Sequence, residues 1–440
     1  MLIEGWLDRA ASGAPGRIAV ETPELSWTYA ELTALARLGA HCLAERGARP
    51  GERVAIALAP GAAFVQALHS CLLLGAVAVP VDLRLAGAEQ EQIAAGAAVV
   101  LDEPLPTDGG WTWPAVRHDL DAPAMIVHTS GTTSAPRPIT LTYGNVLWSA
   151  LGSGVALGVA ERERWLCALP LSHVGGLSIL LRSAIYATTA VVHERFDTDR
   201  VLHELSVGGA TLVSLVATTL TRLLDAGLER PPDLRCALTG GGPVPAALIA
   251  RAHALGVPVS LTYGLTEACS QVTTTPLAEL AGAPASAGPA LFCTRVELAA
   301  DGEILVSGPT VSPSAKLLEG RLATGDLGRL DGEGRLWVTG RKADTIISGG
   351  ENVAPAEVEA VLEAHPAVLE AAVLGRPDER WGERVSALVL ARPGARIDPA
   401  ELLEHCRRSL APYKVPREIM ERSQPLPRTA SGKLLRRELA

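Results

Sequence analysis

The sequence has few aromatic residues, little excess charge and no long apolar run. Aromatic side chains make up 4% of its 440 residues, whereas hydrophobic residues as a whole make up 48%. The longest apolar stretch, residues 71–81, is about half of the ~20 residues that a membrane-spanning helix needs, so we expect no membrane insertion. Residues 1–9 lack a basic segment followed by an apolar one, so we expect no export signal.

The charge balance argues against a nucleic-acid partner. The chain carries 39 Lys and Arg against 48 Asp and Glu, a formal net charge of -9, and offers no extended positive field to a phosphate backbone. Its seven cysteines are scattered singly, with no Cys-x-x-Cys pair and no His-rich neighbour. This pattern is typical of reduced thiols, and we expect a cytoplasmic protein.

A chain of this length is expected to form two or three domains. Helical spacing alternates with short buried strands, as in residues 29–46, 53–58 and 62–74, which indicates parallel sheets with ligand loops at strand ends. After about residue 285, short strands separated by turns, among them residues 327–330, predict a small antiparallel barrel or sheet, with a hairpin turn at residues 331–334. A compact α+β unit is predicted from about residue 341 onward.

One loop has the composition of a phosphate site. Residues 129–137 read TSGTTSAPR and follow an apolar stretch. Hydroxyls, a glycine, backbone N–H groups and the cation of Arg137 together suit nucleotide phosphates. The segment does not match GxxxxGK[ST], so it is not the loop of a P-loop ATPase. A polar surface loop is the alternative for this segment alone.

Two further segments place glycines next to strands. Residues 238–245 read LTGGGPVP, in which three glycines would let a flat ring approach the backbone. Residues 261–268 read LTYGLTEA, in which Tyr263 could stack on a base and Glu267 could bind magnesium. A tight strand-to-helix turn and a capped helix start are the respective alternatives.

Two charged segments complete the set. Asp326, followed by Arg341 within residues 340–352, offers a carboxylate for ribose hydroxyls and a guanidinium for phosphate. Residues 427–433 read PRTASGK and place Lys433 in a Ser/Gly-rich loop in a polar tail with too much charge for a core. A hairpin, a linker and a solvated lysine are the alternatives when each is taken alone.

In this order, the five segments resemble the adenylate-forming superfamily of acyl-CoA synthetases, nonribosomal-peptide adenylation domains and luciferases. The resemblance spans nearly the whole chain. It implies an α/β fold, with a large N-terminal domain of two β-α subdomains plus a small β-barrel and a mobile C-terminal α+β domain. Residues 1–341 would form the AMP-binding domain, and residues 342–440 would carry the catalytic lysine beyond a hinge near residues 342–344.

Within the superfamily, the chain looks most like the o-succinylbenzoate:CoA ligases of menaquinone synthesis. The similarity lies in residues 168–178, 193–196, 262–272 and 286–292, while residues 348–359 fit but recur in many acyl-CoA ligases. The resemblance implies an acid–thiol ligase that uses ATP, Mg²⁺ and CoA as co-substrate. It would form an acyl-adenylate, release pyrophosphate, and then form the acyl-CoA thioester with release of AMP.

The resemblance also assigns roles to residues of this chain. Catalysis is assigned to Lys433, Glu267 and Thr129, with Glu267 as the magnesium ligand. The residues that would contact the nucleotide are Thr129, Ser130, Gly131, Thr132, Thr133, Arg137, Gly240, Gly241, Gly242, Tyr263, Gly264, Thr266, Asp326 and Arg341. Those for CoA are Ser348, Gly349, Gly350 and Glu351, and those for the acid are His173, Gly175, Gly176, Arg182 and Ser214.

The phosphate loop departs from the family pattern TSGTTGxPKG at three positions. Ser134, Arg137 and Pro138 stand at its Gly, Lys and Gly positions. Arg137 keeps the cation, whereas Ser134 and Pro138 restrict backbone torsions and Pro138 also removes an N–H donor. This departure predicts an effect on ATP affinity or turnover rather than on the reaction class.

The acid o-succinylbenzoate has two carboxylates, of which one reacts and the other needs a cation. Arg182 stands where some family members carry a carboxylate-binding arginine, and a buried anion without a cation is costly. An exposed position of Arg182 on a helix face and a core position of His173 are the alternatives.

Three other functions stay open at this point. They are another aryl- or fatty-acyl-CoA ligase, a stand-alone adenylation enzyme that loads a carrier protein, and a non-catalytic adenylate-binding protein. The first would lack a cation for a distal carboxylate, the second would be indifferent to free CoA, and the third would release no pyrophosphate. The expected partners are the small-molecule acid, ATP and CoA, and a homodimer is left open.

Overall fold

The computed structural model describes residues 1–109, 113–114, 116–129, 137–280, 285–428 and 434–439. Helices and strands alternate over most of these ranges, as the spacing of apolar residues predicts. The helices are α1 (Trp6–Gly13), α2 (Tyr29–Glu45), α3 (Ala62–Leu74), α4 (Gly87–Ala94), α5 (Tyr143–Leu157), α6 (Val174–Tyr186), α7 (Thr198–Ser206), α8 (Ala217–Asp225), α9 (Ala246–Ala254), α10 (Pro355–Glu363) and α11 (Pro399–Ser409).

The strands fall into two groups along the chain. The first group is β1 (Leu2–Glu4), β2 (Ile18–Glu21), β3 (Ser26–Thr28), β4 (Arg53–Ile56), β5 (Val77–Pro80), β6 (Val99–Leu101), β7 (Arg117–Asp119), β8 (Pro123–Thr129), β9 (Arg137–Thr142), β10 (Arg164–Cys167), β11 (Thr189–Val192), β12 (Leu212–Leu215), β13 (Cys236–Thr239), β14 (Val259–Leu265) and β15 (Ser270–Thr274). The second group is β16 (Arg295–Leu298), β17 (Glu303–Ser307), β18 (Leu317–Leu318), β19 (Arg321–Leu330), β20 (Leu336–Arg341), β21 (Ile346–Ser348), β22 (Glu351–Val353), β23 (Val368–Asp378), β24 (Gly382–Ala391) and β25 (Glu418–Arg422).

Local chemistry explains where the helices begin and end. Thr28 caps α2, because its side chain accepts from Glu31 N while the Glu31 carboxylate accepts from Thr28 N at 2.7 Å. Helix α3 ends at Gly75, whose φ of 77° is left-handed and therefore favours glycine. Eleven of the thirteen residues of α3 are buried, so this helix is packed on all sides.

Two mainly parallel sheets form the large N-terminal part. One has the strand order β6-β4-β5-β8-β9, and the other has the order β15-β14-β13-β12-β10-β11-β2-β3. The antiparallel strands β9, β15 and β3 lie at the edges of these sheets. One apolar core contains side chains of both sheets, such as Val54 and Trp165, and confirms the predicted β-α organisation.

An antiparallel sheet of five strands follows. Strands β16, β17 and β19 pair in that order, and both β18 and β20 pair with β19. The predicted turn at residues 331–334 joins β19 to β20, and the Asp331 carboxylate accepts from Glu333 N and Arg335 N. Strand β19 begins at Arg321, six residues before the start of the predicted strand at residue 327. The prediction begins too late because Gly325, with φ of 73°, breaks the alternating pattern.

The small C-terminal part is a compact α+β unit. Its sheet has the order β22-β21-β24-β23, with β25 parallel to β24. Helices α10 and α11 cover one face through Val358, Leu362 and Leu402, each 0% exposed. Leu426 and Leu439 pack with residues on its other face, at 4% and 5% exposure, so the polar tail is partly buried rather than entirely at the surface.

Among the described helices, none has both the length and the apolar composition of a membrane span. All seven cysteines are free, and five of them are buried. Burial raises the pKa of the thiols of Cys71, Cys167, Cys236 and Cys269 to about 12. These thiols therefore act as apolar core residues at neutral pH.

Two histidines lie inside the first core. His69 of α3 is 3% exposed and His118 of β7 is 4% exposed. The His118 ring stacks on Tyr143, with ring centroids 4.3 Å apart. Burial lowers the pKa of both imidazoles from 6.5 to about 4, so both are neutral in the folded protein at pH 7.

The folded state should lose stability as the pH falls from 6.5 towards 4. The unfolded chain takes up protons on His69 and His118 below pH 6.5, while the folded chain resists protonation down to about pH 4. Each histidine then costs about 1.4 kcal/mol of unfolding free energy per pH unit. Thermal midpoints at pH 7, 6 and 5 measure this effect. We expect His69→Met to flatten the dependence and the exposed control His203→Met to leave it unchanged; an unchanged slope in His69→Met would contradict the assignment.

Candidate active site

The end of the β19–β20 hairpin brings three polar side chains together. Asp326 lies opposite Arg341 in the antiparallel pairing of the two strands. Arg341 Nε donates to Asp326 Oδ1 at 2.8 Å, and Tyr263 Oη donates to Asp326 Oδ2 at 2.8 Å. Asp326 is 7% exposed, so its partners hold the carboxylate in a fixed orientation. A carboxylate keeps further acceptor positions in this arrangement, which suits the paired hydroxyls of a ribose.

The charges of this group depend on one another. Burial, and after it the charge of Asp326, raises the pKa of Tyr263 well above its ordinary value, so the phenol stays a donor. Burial alone would lower the pKa of Arg341, but the charge and hydrogen bond of Asp326 raise it overall. The Tyr263 phenol and the Arg341 guanidinium therefore both stay protonated across the physiological pH range.

The three predicted glycines after β13 have different structural reasons. A Cβ on Gly240 would lie 2.6 Å from the backbone oxygen of Thr262 in the neighbouring β14, so glycine is required there for strand packing. Gly241 has φ of 80°, a left-handed conformation. A Cβ on Gly242 would have no atom within 4 Å. Only Gly242 therefore leaves open space that packing and backbone strain do not explain.

Glycine at position 264 serves the sheet. A Cβ there would lie 1.9 Å from the Ser270 backbone oxygen, at the point where the β14–β15 register shifts. A short 3₁₀ helix (Thr266–Ala268) follows β14, so Thr266 and Glu267 lie in its first turn. The alternative of a capped helix start is met only in part, because Leu265 precedes this helix and makes no side-chain cap hydrogen bond.

The antiparallel pair β8 and β9 frames the predicted phosphate loop. Thr129 ends β8 opposite Arg137, which begins β9. Ser130, Gly131, Thr132, Thr133 and Ser134, which belong to the predicted phosphate loop, lie outside the described residues. Ser312 joins this pair to the neighbouring helix, because its N donates to Glu267 O at 2.8 Å and its Oγ donates to Thr140 O at 2.6 Å.

Pro138 occupies a position where a missing N–H is tolerated. It lies in β9, an edge strand, opposite His128. Thr140 N, two residues further on, donates to Ser314 Oγ at 2.9 Å and so points away from β8. Because strand directions repeat every two residues, the nitrogen of Pro138 also points away from β8, and the proline removes no ladder hydrogen bond.

Arg182 is a buried cation in α6. It is 3% exposed, so the alternative of a solvent-facing position is wrong. Its Nη2 donates to Ser149 Oγ at 3.0 Å, and its guanidinium lies 5.7 Å from the Trp165 ring centroid. Its Nε is buried without a hydrogen-bond partner among the residues that the structure describes. No carboxylate pairs with it within the described part of the chain. Burial therefore lowers its pKa.

A narrow interior cavity adjoins this cation. Polar side chains of Arg182 and Ser149 face apolar ones there; the other lining residues are Met125, Leu141, Val146, Val174, Leu177, Ser178, Leu181 and Cys269. Trp165 connects Arg182 to Ser214, since Trp165 Nε1 donates to Ser214 Oγ at 3.0 Å. Two of the predicted acid-binding residues thus share one aromatic neighbour.

The other predicted acid-binding residues lie at the start of α6. His173 precedes the helix, is half-buried, and lies 3.3 Å from Arg84 Nη2 and 3.8 Å from Asp82 Oδ2, so it is not a core histidine. A Cβ on Gly176 would lie 2.5 Å from the Pro170 backbone oxygen, which explains that glycine by packing. Gly175 lies beside it on the same turn. His173 and Arg182 are separated by nine residues, or roughly 13 Å along a helix axis.

The segment predicted to contact CoA is a tight hairpin. Ser348 of β21 pairs with Glu351 of β22, and the two residues between them have positive φ, 62° at Gly349 and 85° at Gly350. Gly349 N donates to Trp381 O at 2.8 Å, so the turn packs against the β23–β24 hairpin. Lys433 lies outside the described residues.

Sequence patterns missed several residues that orient the site. Ser149 holds Arg182, and Ser312 links Glu267 to β9. Lys342 donates to Glu303 at 2.9 Å, which also accepts from Gly325 N beside Asp326. Ser149 and Ser312 lie in no recognisable motif, and the place of Lys342 in the expected hinge does not predict its contact with Glu303, since each acts on a residue far away in the sequence.

Comparisons with known proteins show the family of this chain. Residues 7–314 match the AMP-binding enzyme family, and residues 357–433 match the AMP-binding enzyme C-terminal domain. The 2-succinylbenzoate–CoA ligase of Bacillus subtilis (strain 168) is 38% identical over 99% of this chain and 97% of its own length. The ligase of the same name from Geobacillus kaustophilus is 39% identical over 99% of this chain and 96% of its own.

Solved structures of the Bacillus subtilis o-succinylbenzoate CoA synthetase are similar over the whole fold. The complex with the acyl-adenylate OSB-AMP is 37% identical with a TM-score of 0.91, covering 100% of this chain and 98% of that one. The complex with ATP and magnesium has a TM-score of 0.90 at 37% identity, covering 100% of both chains. A double mutant bound with the product analogue OSB-NCoA has a TM-score of 0.74 at 37% identity, covering 100% and 98%. The chain therefore belongs to the AMP-binding enzymes of the adenylate-forming superfamily, as an acyl-CoA synthetase of the o-succinylbenzoate–CoA ligase type.

Proposed function

We propose that the protein converts o-succinylbenzoate, ATP and CoA into o-succinylbenzoyl-CoA, AMP and pyrophosphate. The reaction class follows from the family, and the acid follows from relatives of that name at 38% and 39% identity over nearly the whole chain. One observation in the structure carries the choice of acid. Arg182 is a buried guanidinium without a carboxylate partner in the described chain, beside a cavity. A dicarboxylic acid would supply that partner.

A carboxylate acylates a thiol poorly, because its carbonyl is electron-rich and oxide is a poor leaving group. In the first step a carboxylate oxygen attacks the α-phosphorus of ATP, and the bond from that phosphorus to the bridging oxygen breaks to release pyrophosphate. Negative charge builds on the phosphoryl oxygens, so fixed cations stabilise the transition state. Lys433 would meet the α-phosphate and the attacking carboxylate, while Arg137 would meet the outer phosphates.

The nucleotide would lie between the end of β14 and the β19–β20 hairpin. Asp326, with Arg341 beside it, would hold the ribose, and Tyr263 and Gly242 would border adenine. Thr129 and the residues that follow it would hold the phosphates. The support for this placement is geometric: Tyr263 bonds Asp326, and Gly240 packs on the residue before Tyr263.

Glu267 fits a magnesium ion that travels with the nucleotide. Its half-buried carboxylate makes no hydrogen bond or ion pair with any residue of the described ranges. The same ranges contain no cluster of three His, Cys, Asp or Glu side chains suited to a metal. One carboxylate is enough here, because Mg²⁺ usually takes one or two carboxylates plus phosphate oxygens and water. When bound, the ion would neutralise phosphate charge next to Glu267.

For the acid, the reacting carboxylate would lie near His173 at the start of α6 and the distal one near Arg182. Gly175 and Gly176 would border the path between them, and Ser214 would support Trp165. A buried anion without a cation costs several kcal/mol, so Arg182 would select a dicarboxylate over benzoate or a fatty acid.

In the second step the CoA thiolate attacks the acyl carbon of the adenylate, a thioester bond forms, and the bond to the AMP oxygen breaks. We infer a division into residues 1–341 and 342–440, with the C-terminal part rotating near residues 342–344 to bring residues 348–351 to CoA. Supporting this, the chain is similar to one relative at a TM-score of 0.91 with adenylate and 0.74 with a CoA product analogue. The adenylate complex and the double mutant bound with the product analogue thus differ in structure, and this chain is more similar to the first.

The free cysteines fit a reducing compartment, and we place the enzyme in the cytoplasm. Assembly as a homodimer stays a prediction, which the mass of the purified protein in solution tests.

An acid panel tests the substrate and the role of Arg182 together. Pyrophosphate release should be fastest with o-succinylbenzoate, ahead of benzoate, octanoate and other monocarboxylates. Arg182→Met removes the charge but keeps volume, and should raise KM for o-succinylbenzoate roughly tenfold or more with little change for ATP, since a charged hydrogen bond contributes about 1.5–3 kcal/mol. The control Arg222→Met, in an exposed arginine over the Phe196 ring, should change neither.

Two results would contradict this assignment. If benzoate or octanoate outcompetes o-succinylbenzoate, the acid is wrong. If Arg182→Met raises KM for ATP and for the acid in parallel, Arg182 lies outside the acid pocket. Indifference to free CoA would favour a carrier-protein loading enzyme, and ATP binding without pyrophosphate release would favour a non-catalytic adenylate-binding protein.

Lys433→Ala should separate the two half-reactions. We expect acyl-adenylate formation to be abolished, because the charge at the α-phosphate is lost, while thioester formation from supplied acyl-adenylate and CoA stays largely intact. Pyrophosphate exchange measures the first step and thioester absorbance the second. Lys414→Ala, in a lysine that bonds Glu357, is the control and should affect neither step more than about twofold. Equal loss in both steps of Lys433→Ala would refute the two-state scheme.

Two glycine substitutions separate packing from nucleotide contact. Gly240→Ala should lower the thermal midpoint, because its Cβ overlaps the Thr262 backbone at a cost of about 1–3 kcal/mol. Gly242→Ala should leave the midpoint unchanged but raise KM for ATP, because the new methyl enters the space assigned to adenine. A normal KM for ATP in Gly242→Ala would move adenine elsewhere.

A further inference from the structure

The chain on either side of residues 429–433 forms an anchored stem. Arg428 and Leu434 pair as an antiparallel bridge. Leu426 before the bridge and Leu439 after it are 4% and 5% exposed and pack on the same face of the C-terminal sheet. The described residues on both sides of the predicted catalytic lysine are therefore held at one place on the C-terminal sheet.

Arg436 lies on the C-terminal side of this stem and donates hydrogen bonds to three other residues. Its Nη1 and Nη2 donate to the two carboxylate oxygens of Glu359 in α10 at 2.5 and 2.9 Å. Nη1 also donates to Val373 O of β23 at 2.9 Å, and Nε donates to Asp344 Oδ2 at 3.2 Å. Burial alone would lower the pKa of Arg436, but the bonds to Glu359 and Asp344 raise it overall. Every donor nitrogen of this side chain is thus engaged, three residues after Lys433.

Asp344 belongs to the segment proposed as the hinge. It ends a 3₁₀ helix (Lys342–Asp344), and the first residue of this helix makes its ion pairs with the N-terminal part. Lys342 Nζ lies 2.5 Å from Asp301 Oδ2 and 2.9 Å from Glu303 Oε2, both on or beside β17 of the N-terminal part. The hinge segment is therefore ion-paired to the N-terminal part through Lys342 and to Arg436 of the stem through Asp344.

We propose that Arg436 is a positioning residue for adenylation. It couples the hinge to the segment that carries Lys433, because its Nε bonds Asp344 and both of its Nη atoms bond Glu359. The proposal rests on the role assigned above to Lys433. Glu359 and Arg436 belong to the same compact unit, so their bond stays when that unit rotates. The bond to Asp344 joins the stem to the hinge itself, so it forms or breaks with the backbone torsions of residues 342–344.

The size of the effect follows from geometry. The lysine ammonium must meet the α-phosphate within hydrogen-bond distance, and a misplacement of ~1 Å can cost on the order of a hundredfold in rate. A carboxylate paired by both oxygens fixes the guanidinium plane, and the third bond fixes its direction toward the hinge. Adenylation therefore needs both contacts of Arg436. The bonds to Glu359 anchor the stem, and the bond to Asp344 sets the domain arrangement.

Four variants test the coupling: Arg436→Met, Arg436→Lys, Asp344→Asn and the double variant Asp344→Asn/Arg436→Met. We expect Arg436→Met and Asp344→Asn to lower kcat for pyrophosphate exchange tenfold or more, with KM for ATP and acid within threefold. Thioester formation from supplied acyl-adenylate should stay within twofold. Arg436→Lys should recover part of the exchange rate. The double variant should be no slower than Arg436→Met alone, because Arg436→Met already removes the charged bond that Asp344→Asn weakens.

The matched control is Arg408→Met, in an exposed arginine that lies 3.8 Å from Glu404 on α11 of the same unit. It should change neither half-reaction. A purely structural role for Arg436 would instead lower both half-reactions and the thermal midpoint together, and would give additive losses in the double variant. Either result overturns the proposal.

Hydrogen exchange tests the coupling without any activity. In the ligand-free full chain, Arg436→Met should raise exchange in peptides covering both residues 426–439 and residues 341–347, whereas Arg408→Met should raise neither. Unchanged exchange in residues 341–347 would refute the coupling even if the enzyme proved to act on another acid. Conversely, the wild-type protein could catalyse no pyrophosphate exchange with any acid while Arg436→Met still raises hydrogen exchange in both peptides. That result would refute the proposed function and leave the coupling in place.

Discussion

The ion pair between Asp326 and Arg341 is the interaction on which the rest of the site depends. It closes one end of the β19–β20 hairpin, and through Tyr263 it also fixes the strand that leads to Glu267. Arg341 is the last residue of β20, directly before the segment proposed as the hinge. The proposed nucleotide grip and the start of the domain rotation are thus one residue apart. A change in the ribose contact would be felt at the hinge without any long chain of intermediate contacts.

The acid side of the site rests on a different physical constraint, which is the cost of burying a charge. Arg182 is held by Ser149 and the face of Trp165, neither of which carries a negative charge. A guanidinium in such surroundings is only partly compensated, and the deficit is largest when no ligand is present. The binding of a carboxylate would remove this deficit, so the proposed site would favour a substrate with a second acid group.

Much of the fold could be predicted from the sequence, because apolar spacing is a local signal. Helices α2 and α3 lie where the spacing places them, and the turn at residues 331–334 joins the strands as predicted. Strand β19 was predicted too short, since Gly325 interrupts the alternation that marks a strand. The family could be identified from the sequence for the same reason, because each motif that carries the resemblance is a continuous segment.

Contacts between distant segments could not be predicted in this way. Arg436 belongs to a tail that its charge marks as surface, yet it bonds Glu359, 77 residues earlier, and Asp344, 92 residues earlier. The glycines of the site also had two explanations in the sequence, ligand approach or packing. The structure separates them, because Gly240 and Gly264 each face a backbone oxygen of a neighbouring strand, whereas Gly242 faces open space.

The burial of the native thiols bears on how motion in this protein can be observed. Four of the seven cysteines have a pKa of about 12 and lie in the N-terminal cores, so maleimide and methanethiosulfonate reagents will react with them slowly at neutral pH. Only Cys42 and Cys293 are half-buried rather than buried. A pair of cysteines introduced at exposed positions on α11 and α8 would then carry spin labels or a dye pair on an otherwise nearly silent background. Distances between the two parts of the chain become measurable during turnover in an almost native sequence.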